Sequence, residues 1–170
     1  MSDPDPTPER PDSIRLLFVC MGNICRSPAA EAVFRGLVEK AGLQDRLRCD
    51  SAGTIDHHEG KPADSRMVEH AARRGIVIRH LARGVQPRDF ADFDLILVMD
   101  DFNERDLLSM TAKHTQKAKI RKMTDFCTNV EAADVPDPYY GGPEGFERVL
   151  DILEDSCAGL LAELRGWMAG

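Results

Sequence analysis

The stretch Ile14-Arg15-Leu16-Leu17-Phe18-Val19-Cys20-Met21-Gly22-Asn23-Ile24-Cys25-Arg26-Ser27-Pro28 runs from an apolar segment into a loop that holds a cysteine, a glycine, an arginine and a serine. Ile14 to Val19 has the length and the β-branched, aromatic content of a buried strand, and Ala29 to Val38 reads as helix. Cys20 therefore falls where strand becomes helix. The residues between Cys20 and Arg26 can curl so that successive backbone N–H groups point inward, at the positive end of the helix dipole, where a phosphate dianion is received. Met21, Gly22, Asn23, Ile24, Cys25 and Arg26 are the residues expected around that anion. Gly22 gives freedom at the tight turn and Asn23 tolerates a left-handed backbone, while Ser27 is expected to cap the helix and Pro28 suits its first turn.

This loop has the parts of a nucleophilic phosphoryl-transfer site. A cysteine at a helix N-terminus beside an arginine is placed to ionise, and the thiolate is the attacking species. Arg26 can hold two phosphate oxygens through its planar fork, and the ring of N–H groups stabilises charge that develops during transfer. Ser27 can donate its hydroxyl to the sulfur. The scheme requires no metal, and no cofactor is expected. Expelling a phenolate calls for a carboxylic acid to protonate it. Asp134-Val135-Pro136-Asp137-Pro138-Tyr139-Tyr140-Gly141-Gly142-Pro143 is a proline- and glycine-rich loop able to carry one, and Asp137 is the candidate, with Tyr139 and Tyr140 beside it.

Outward from these segments the chain alternates. Leu47 to Ala52 reads as strand, Ala63 to Arg74 as helix ended by Gly75, Leu95 to Met99 as strand, Phe102 to Met110 as helix and Gly145 to Met168 as a long closing helix. Alternation implies an α/β fold, a parallel sheet covered on both faces, with ligands at the carboxyl ends of the strands, where Cys20 and Asp100 fall. A length of 170 residues fits one domain, expected over 13–170, preceded by a disordered tail over 1–12 that carries Pro4, Pro6, Pro8 and Pro11 among acidic groups. The net charge of −7 argues against nucleic acid or an acidic membrane surface as partner. No secretory or membrane-length apolar run is present, and five cysteines, one of them catalytic, fit a reducing cytoplasm.

The motifs resemble those of the low molecular weight protein tyrosine phosphatases. Cys20 to Pro28 matches that family's phosphate loop, Asp50-Ser51-Ala52-Gly53-Thr54 a second segment, Arg79-His80-Leu81-Ala82-Arg83 and Phe93 to Asp100 two further ones, and Asp137-Pro138-Tyr139-Tyr140 the acid loop. The resemblance implies a three-layer α/β/α fold with a four-stranded parallel sheet. It also implies that Cys20 is the nucleophile, Arg26 the phosphate clamp, Ser27 the thiolate partner and Asp137 the acid that later activates water. Asn23, Ser51 and His80 are implied to support the loop through hydrogen bonds. Cys25 is implied to form a protective, reversible disulfide with Cys20, the chemistry of a resolving thiol beside an oxidisable one. Tyr139 and Tyr140 are implied both as substrate wall and as phosphorylation sites for a tyrosine kinase, the substrates being phosphotyrosine proteins. The chain is expected to be a monomer or weak dimer.

One departure from the pattern is His57, which stands where family members carry a large aromatic wall of the substrate slot. The segment reads Ile55-Asp56-His57-His58-Glu59-Gly60, so a more polar mouth is expected. Other activities share parts of this chemistry. Arsenate reductases on this scaffold need two further closely spaced cysteines, and Cys49, Cys127 and Cys157 are not so spaced. Protein arginine phosphatases place threonine where Ile24 stands. A non-catalytic phosphotyrosine-binding module is the third alternative, against which the joint presence of nucleophile, clamp and acid speaks.

Overall fold

In a computed structural model, which describes residues 13–169, the first strand β1 spans Ile14–Cys20 and lies at the centre of the molecule. Its residues Leu16, Leu17, Phe18 and Val19 are fully buried on both sides, as expected of an unbroken apolar run in a parallel sheet. β1 pairs with β2 (Leu47–Gly53) on one edge and with β3 (Leu95–Val98) on the other, and β3 pairs with β4 (Ile120–Lys122). All pairings are parallel, in the order β2-β1-β3-β4, which is the expected four-stranded sheet.

Period-two alternation divides the core in two. Leu16, Phe18 and Cys20 face one layer, built by α1 (Arg26–Lys40), α2 (Ser65–Ala72) and the long α6 (Pro143–Ala169). Leu17 and Val19 face the other, where Phe90 of α3 (Asp89–Asp92) and Leu107 of α4 (Asp101–Ser109) cover the sheet. A one-turn helix α5 (His114–Lys117) leads into β4, and a 3₁₀ turn over Met123–Phe126 follows it. Gly159 of α6 lies so close to that turn that a Cβ there would stand 1.9 Å from the Phe126 carbonyl oxygen, so only glycine lets the two backbones meet.

The elements follow the sequence reading with corrections at their ends. β4 was implied only by the family resemblance; it is short and half-buried, and its charged residues carry no apolar period. The first helix begins at Arg26, with Cys25 at its N-cap and no side-chain cap, so the expected capping role of Ser27 is corrected: Ser27 lies inside the first turn and its hydroxyl faces the loop. The second helix is shorter than expected because Asp64 caps it, accepting from the Arg66 N–H, whereas Gly75 stands beyond its end with a φ of 76°. The sheet order reverses about β1, so the crevice between the carboxyl ends of β1 and β3 opens at Cys20 and Asp100. The tail expected over 1–12 lies outside the described residues. No helix among them is long and apolar enough to cross a membrane.

Candidate active site

The loop after β1 is shaped by where its carbonyl groups go. Cys20 O accepts from Thr54 N at 2.9 Å, Met21 O from Ile55 N at 3.1 Å, Ile24 O from Asp64 N at 2.8 Å and Cys25 O from Ala29 N at 3.2 Å. Each trans peptide sets its N–H opposite its C=O, so carbonyls drawn outward leave the N–H groups of Met21, Gly22, Cys25 and Arg26 turned to the loop interior. Gly53 is required for the backing segment to come this close: a Cβ there would lie 2.6 Å from Met21 O and 2.7 Å from Ile55 O.

The remaining bend is held by side chains. Asn23 has φ of 57°, the left-handed conformation that asparagine tolerates, and is 1% exposed. Its amide nitrogen donates to Ser27 Oγ at 2.8 Å and to Ser51 Oγ at 3.1 Å. Its oxygen accepts from the Arg83 N–H at 3.0 Å and from His80 Nε2 at 2.8 Å. Ser27 Oγ, accepting from Asn23, lies 3.0 Å from Cys20 Sγ, with the Ala52 carbonyl oxygen more distant at 3.5 Å. Ser51 donates in turn to Glu31 Oε1 at 2.9 Å. The network thus runs from Asn23 on one side to the Cys20 sulfur through Ser27 and on the other to the Glu31 carboxylate through Ser51. The structure brings together Cys20, Asn23, Ser27, Ser51 and His80.

Glu31 was missed by the sequence reading, although a lone glutamate among alanines on the first turns of a buried helix was the available signal. Burial raises its pKa, opposed by the Ser51 hydrogen bond, and burial lowers that of His80. His80 Nδ1 stands 3.3 Å from Glu31 Oε1 and 3.5 Å from Asp50 Oδ1. These three residues are close enough to hold a cation. Arg35, 3.0 Å from Glu31, and Arg83, 3.0 Å from Asp50, already neutralise the two carboxylates, so an added divalent ion would be poorly served.

Arg26 is 3% exposed and its Nη1 donates to Asp100 Oδ2 at 2.6 Å and to Val135 O at 3.1 Å. Burial works against its charge, but Cys20 and then Asp100 outweigh that and raise its pKa. Asp100 also caps α4 through the Asn103 N–H. Its position at the strand end was legible in the sequence; its grip on the clamp was not. Across the crevice, Asp137 Oδ2 comes within 3.9 Å of Arg26 Nη2, while its Oδ1 accepts from Tyr139 N at 3.0 Å and so fixes the carboxylate's aim. Asp100, 74 residues from Arg26 in sequence, and Val135, 109 residues from it, therefore converge on one guanidinium.

At the rim, His57 is exposed, and the imidazole set against the loop is that of His58, whose Cδ2 lies 3.2 Å from where a Gly22 Cβ would be. Tyr139 and Tyr140 meet edge to face at 4.9 Å, with the Arg66 guanidinium 5.3 Å from the Tyr139 ring centre, and Tyr140 is 93% exposed. Cys25 is buried and its thiol is pushed up first by burial and then by Asp64, and all five cysteines are free.

The family model described as low molecular weight phosphotyrosine protein phosphatase matches residues 15–167. The chain is similar to a low molecular weight protein-tyrosine-phosphatase of Streptomyces coelicolor, 44% identical over 158 residues, covering 92% of this chain and 96% of the relative. It is 42% identical over 147 residues to the human low molecular weight phosphotyrosine protein phosphatase, covering 86% and 92%. The crystal structure of a protein tyrosine phosphatase from Entamoeba histolytica superposes with a TM-score of 0.89 at 49% identity, covering 92% of this chain and 99% of that one. With its four-stranded parallel sheet and phosphate loop, this chain belongs to the low molecular weight phosphotyrosine protein phosphatases, hydrolases that work through a cysteinyl-phosphate intermediate.

Proposed function

We propose that this protein hydrolyses phosphotyrosine in proteins, with Cys20, Arg26, Ser27 and Asp137 in the roles their positions support. The observation that carries the assignment is the convergence on Arg26: the guanidinium is buried beneath Asp137, and Cys20 Sγ lies within 3.0 Å of the Ser27 hydroxyl. Arg26 and the inward N–H groups of the loop hold three phosphate oxygens, which aims the phosphorus at the sulfur. The Cys20 thiolate attacks phosphorus, the bond to the phenolic oxygen breaks, and that oxygen takes the proton of the Asp137 carboxyl. In the second step the Asp137 carboxylate takes a proton from water as the water oxygen attacks phosphorus. The S–P bond breaks, and Ser27 donates its hydrogen bond to the departing thiolate, whose charge Arg26 also offsets.

His58, packed on Gly22, and Tyr139, across the crevice, form the walls met by the substrate ring, with His57 at the outer rim. Cys25 is the resolving thiol of a reversible Cys20–Cys25 disulfide, and Tyr140 is the more accessible target of a tyrosine kinase. Five free thiols and a redox-sensitive nucleophile fit a cytoplasmic setting.

The test is hydrolysis of a phosphotyrosine peptide without added metal, with phosphoserine and phosphoarginine peptides alongside. Turnover of phosphotyrosine abolished in Cys20→Ser and lowered about 10²- to 10³-fold in Asp137→Asn is the expected result. Tight binding without turnover would make the protein a recognition module, and preference for phosphoarginine would overturn the substrate assignment.

A further inference from the structure

Asp137 sits in a segment between Phe126 and Pro143 that has no regular structure, yet the mechanism needs its carboxyl held at a fixed distance from Arg26. Asp137, Tyr139 and Tyr140 are exposed, whereas Val135 at the base of the segment is buried. Three contacts hold the base. Val135 N donates to Met99 O at 2.8 Å, Thr124 Oγ1 donates to Ala133 O at 2.9 Å, and Lys122 reaches across from the end of β4. The Lys122 ammonium lies 2.6 Å from Asp134 Oδ1 and 2.9 Å from Asp101 Oδ1. Asp134 Oδ1 is buried and accepts no well-aligned hydrogen bond, so the ammonium alone compensates it among the described residues. Asp101 follows Asp100, which grips Arg26, and Asp134 precedes Val135, whose carbonyl accepts from the same guanidinium. One cation therefore joins the two segments that anchor Arg26, and the second of them carries Asp137.

We propose that Lys122 is a positioning residue for the general acid: by bridging Asp101 and Asp134 it sets where Asp137 stands over the phosphate loop. Burial works against the ammonium, but its contacts with Asp134 and Asp101 prevail and hold its pKa at about 12, so the bridge stays charged across the neutral range. The hydrogen bonds to Met99 O and from Arg26 Nη1 fix Val135, two residues short of the acid; the ion pair fixes the direction in which the chain enters that point. Lys122 touches no substrate in this scheme and acts only through Asp134.

The inference rests on the phosphatase reading and is separable from it by leaving-group chemistry. A misplaced acid harms substrates with poor leaving groups most, since a good leaving group needs little protonation. kcat/KM is measured for p-nitrophenyl phosphate and phenyl phosphate with wild type, Lys122→Met, Lys122→Arg, Asp134→Asn and Asp137→Asn. Lys122→Met is expected to lose about tenfold more on phenyl phosphate than on p-nitrophenyl phosphate, a part of the roughly 10²- to 10⁴-fold that a general acid supplies. Lys122→Arg should restore most of the loss, and Lys122→Met should add nothing to the leaving-group dependence once Asp137→Asn is present. An equal loss on both substrates, or none, overturns the proposal, as it would mark Lys122 as structural only. If Lys122→Met does not fold, Asp134→Asn carries the same comparison. Wild type that fails to hydrolyse either ester, or does so without Cys20, would instead sink the underlying reading.

Discussion

The two loops that meet over Arg26 are held in opposite ways. The phosphate loop is tied by buried side chains at every bend: Asn23, Ser27 and Ser51 are 1%, 0% and 0% exposed and are bonded to one another. The acid loop is tied at its base and open at its tip, where Asp137 and Tyr140 face solvent. The difference matches what each does in the proposed mechanism. A cradle of N–H groups stabilises a transition state only if it needs no rearrangement when charge develops, so its shape is determined in advance. A general acid that must later receive water has to remain reachable, and the chain carrying it cannot be sealed into the core.

Breaking the buried side of this contrast is expected to have the largest effect. Asn23→Ala removes partners of Ser27, Ser51, His80 and the Arg83 N–H at once and puts alanine at a φ of 57°. A loss of about 2–4 kcal/mol is expected from unsatisfied buried groups and left-handed strain, with kcat/KM down on good and poor leaving groups alike. Denaturant unfolding and the same pair of aryl phosphates measure it. Unchanged stability would mean that backbone hydrogen bonds alone shape the loop. Ser51→Ala should act in the same direction more weakly, at about 1–2 kcal/mol, because it leaves one amide proton and the Glu31 carboxylate short of a partner.

Disturbing the open side should change kinetics more than stability. Arg66 ties Asp64 to the acid loop's tip by donating to Tyr139 O at 3.1 Å while lying over the Tyr139 ring. Arg66→Ala is expected to raise KM for a phosphotyrosine peptide a few-fold and to leave Tm near that of wild type, since exposed ion pairs contribute little. The small stability difference has a defined pH dependence. The Arg66 hydrogen bond holds the Asp64 carboxyl below its usual 3.8, so the unfolded chain binds that proton first. The contribution is present above pH 3.8 and is lost as pH falls through the lowered folded value. The gap between wild type and Arg66→Ala should therefore close on acidification, and a gap that widens would contradict the pairing.

The same contrast governs what could be read from the chain. Near-neighbour chemistry was legible: strand, glycine turn, arginine and serine lie within Leu16 to Ser27, and local spacing alone brings Cys20, Arg26 and Ser27 together. The loop that carries Asp137 was legible through its turn chemistry, because an aspartate before proline in a glycine-rich segment marks a loop wherever it folds; only the cysteine loop elsewhere in the chain singled out its carboxyl. Errors arose where position depends on contacts from afar. Glu31, held by Ser51 and beside His80, was overlooked, and the histidine set against Gly22 is His58.

Composition and periodicity in this sequence determine an alternating α/β sheet with a cysteine at the end of its first strand, since alternation of apolar residues and turn chemistry are local properties. Only the tertiary structure decided that Asp100, Val135 and Asp137 share one guanidinium, that Glu31 lies against His80, and that Lys122 joins β4 to the segment that carries Asp137. Those partnerships depend on which strands neighbour one another, and parallel order β2-β1-β3-β4 sets side by side carboxyl ends that the chain itself keeps far apart.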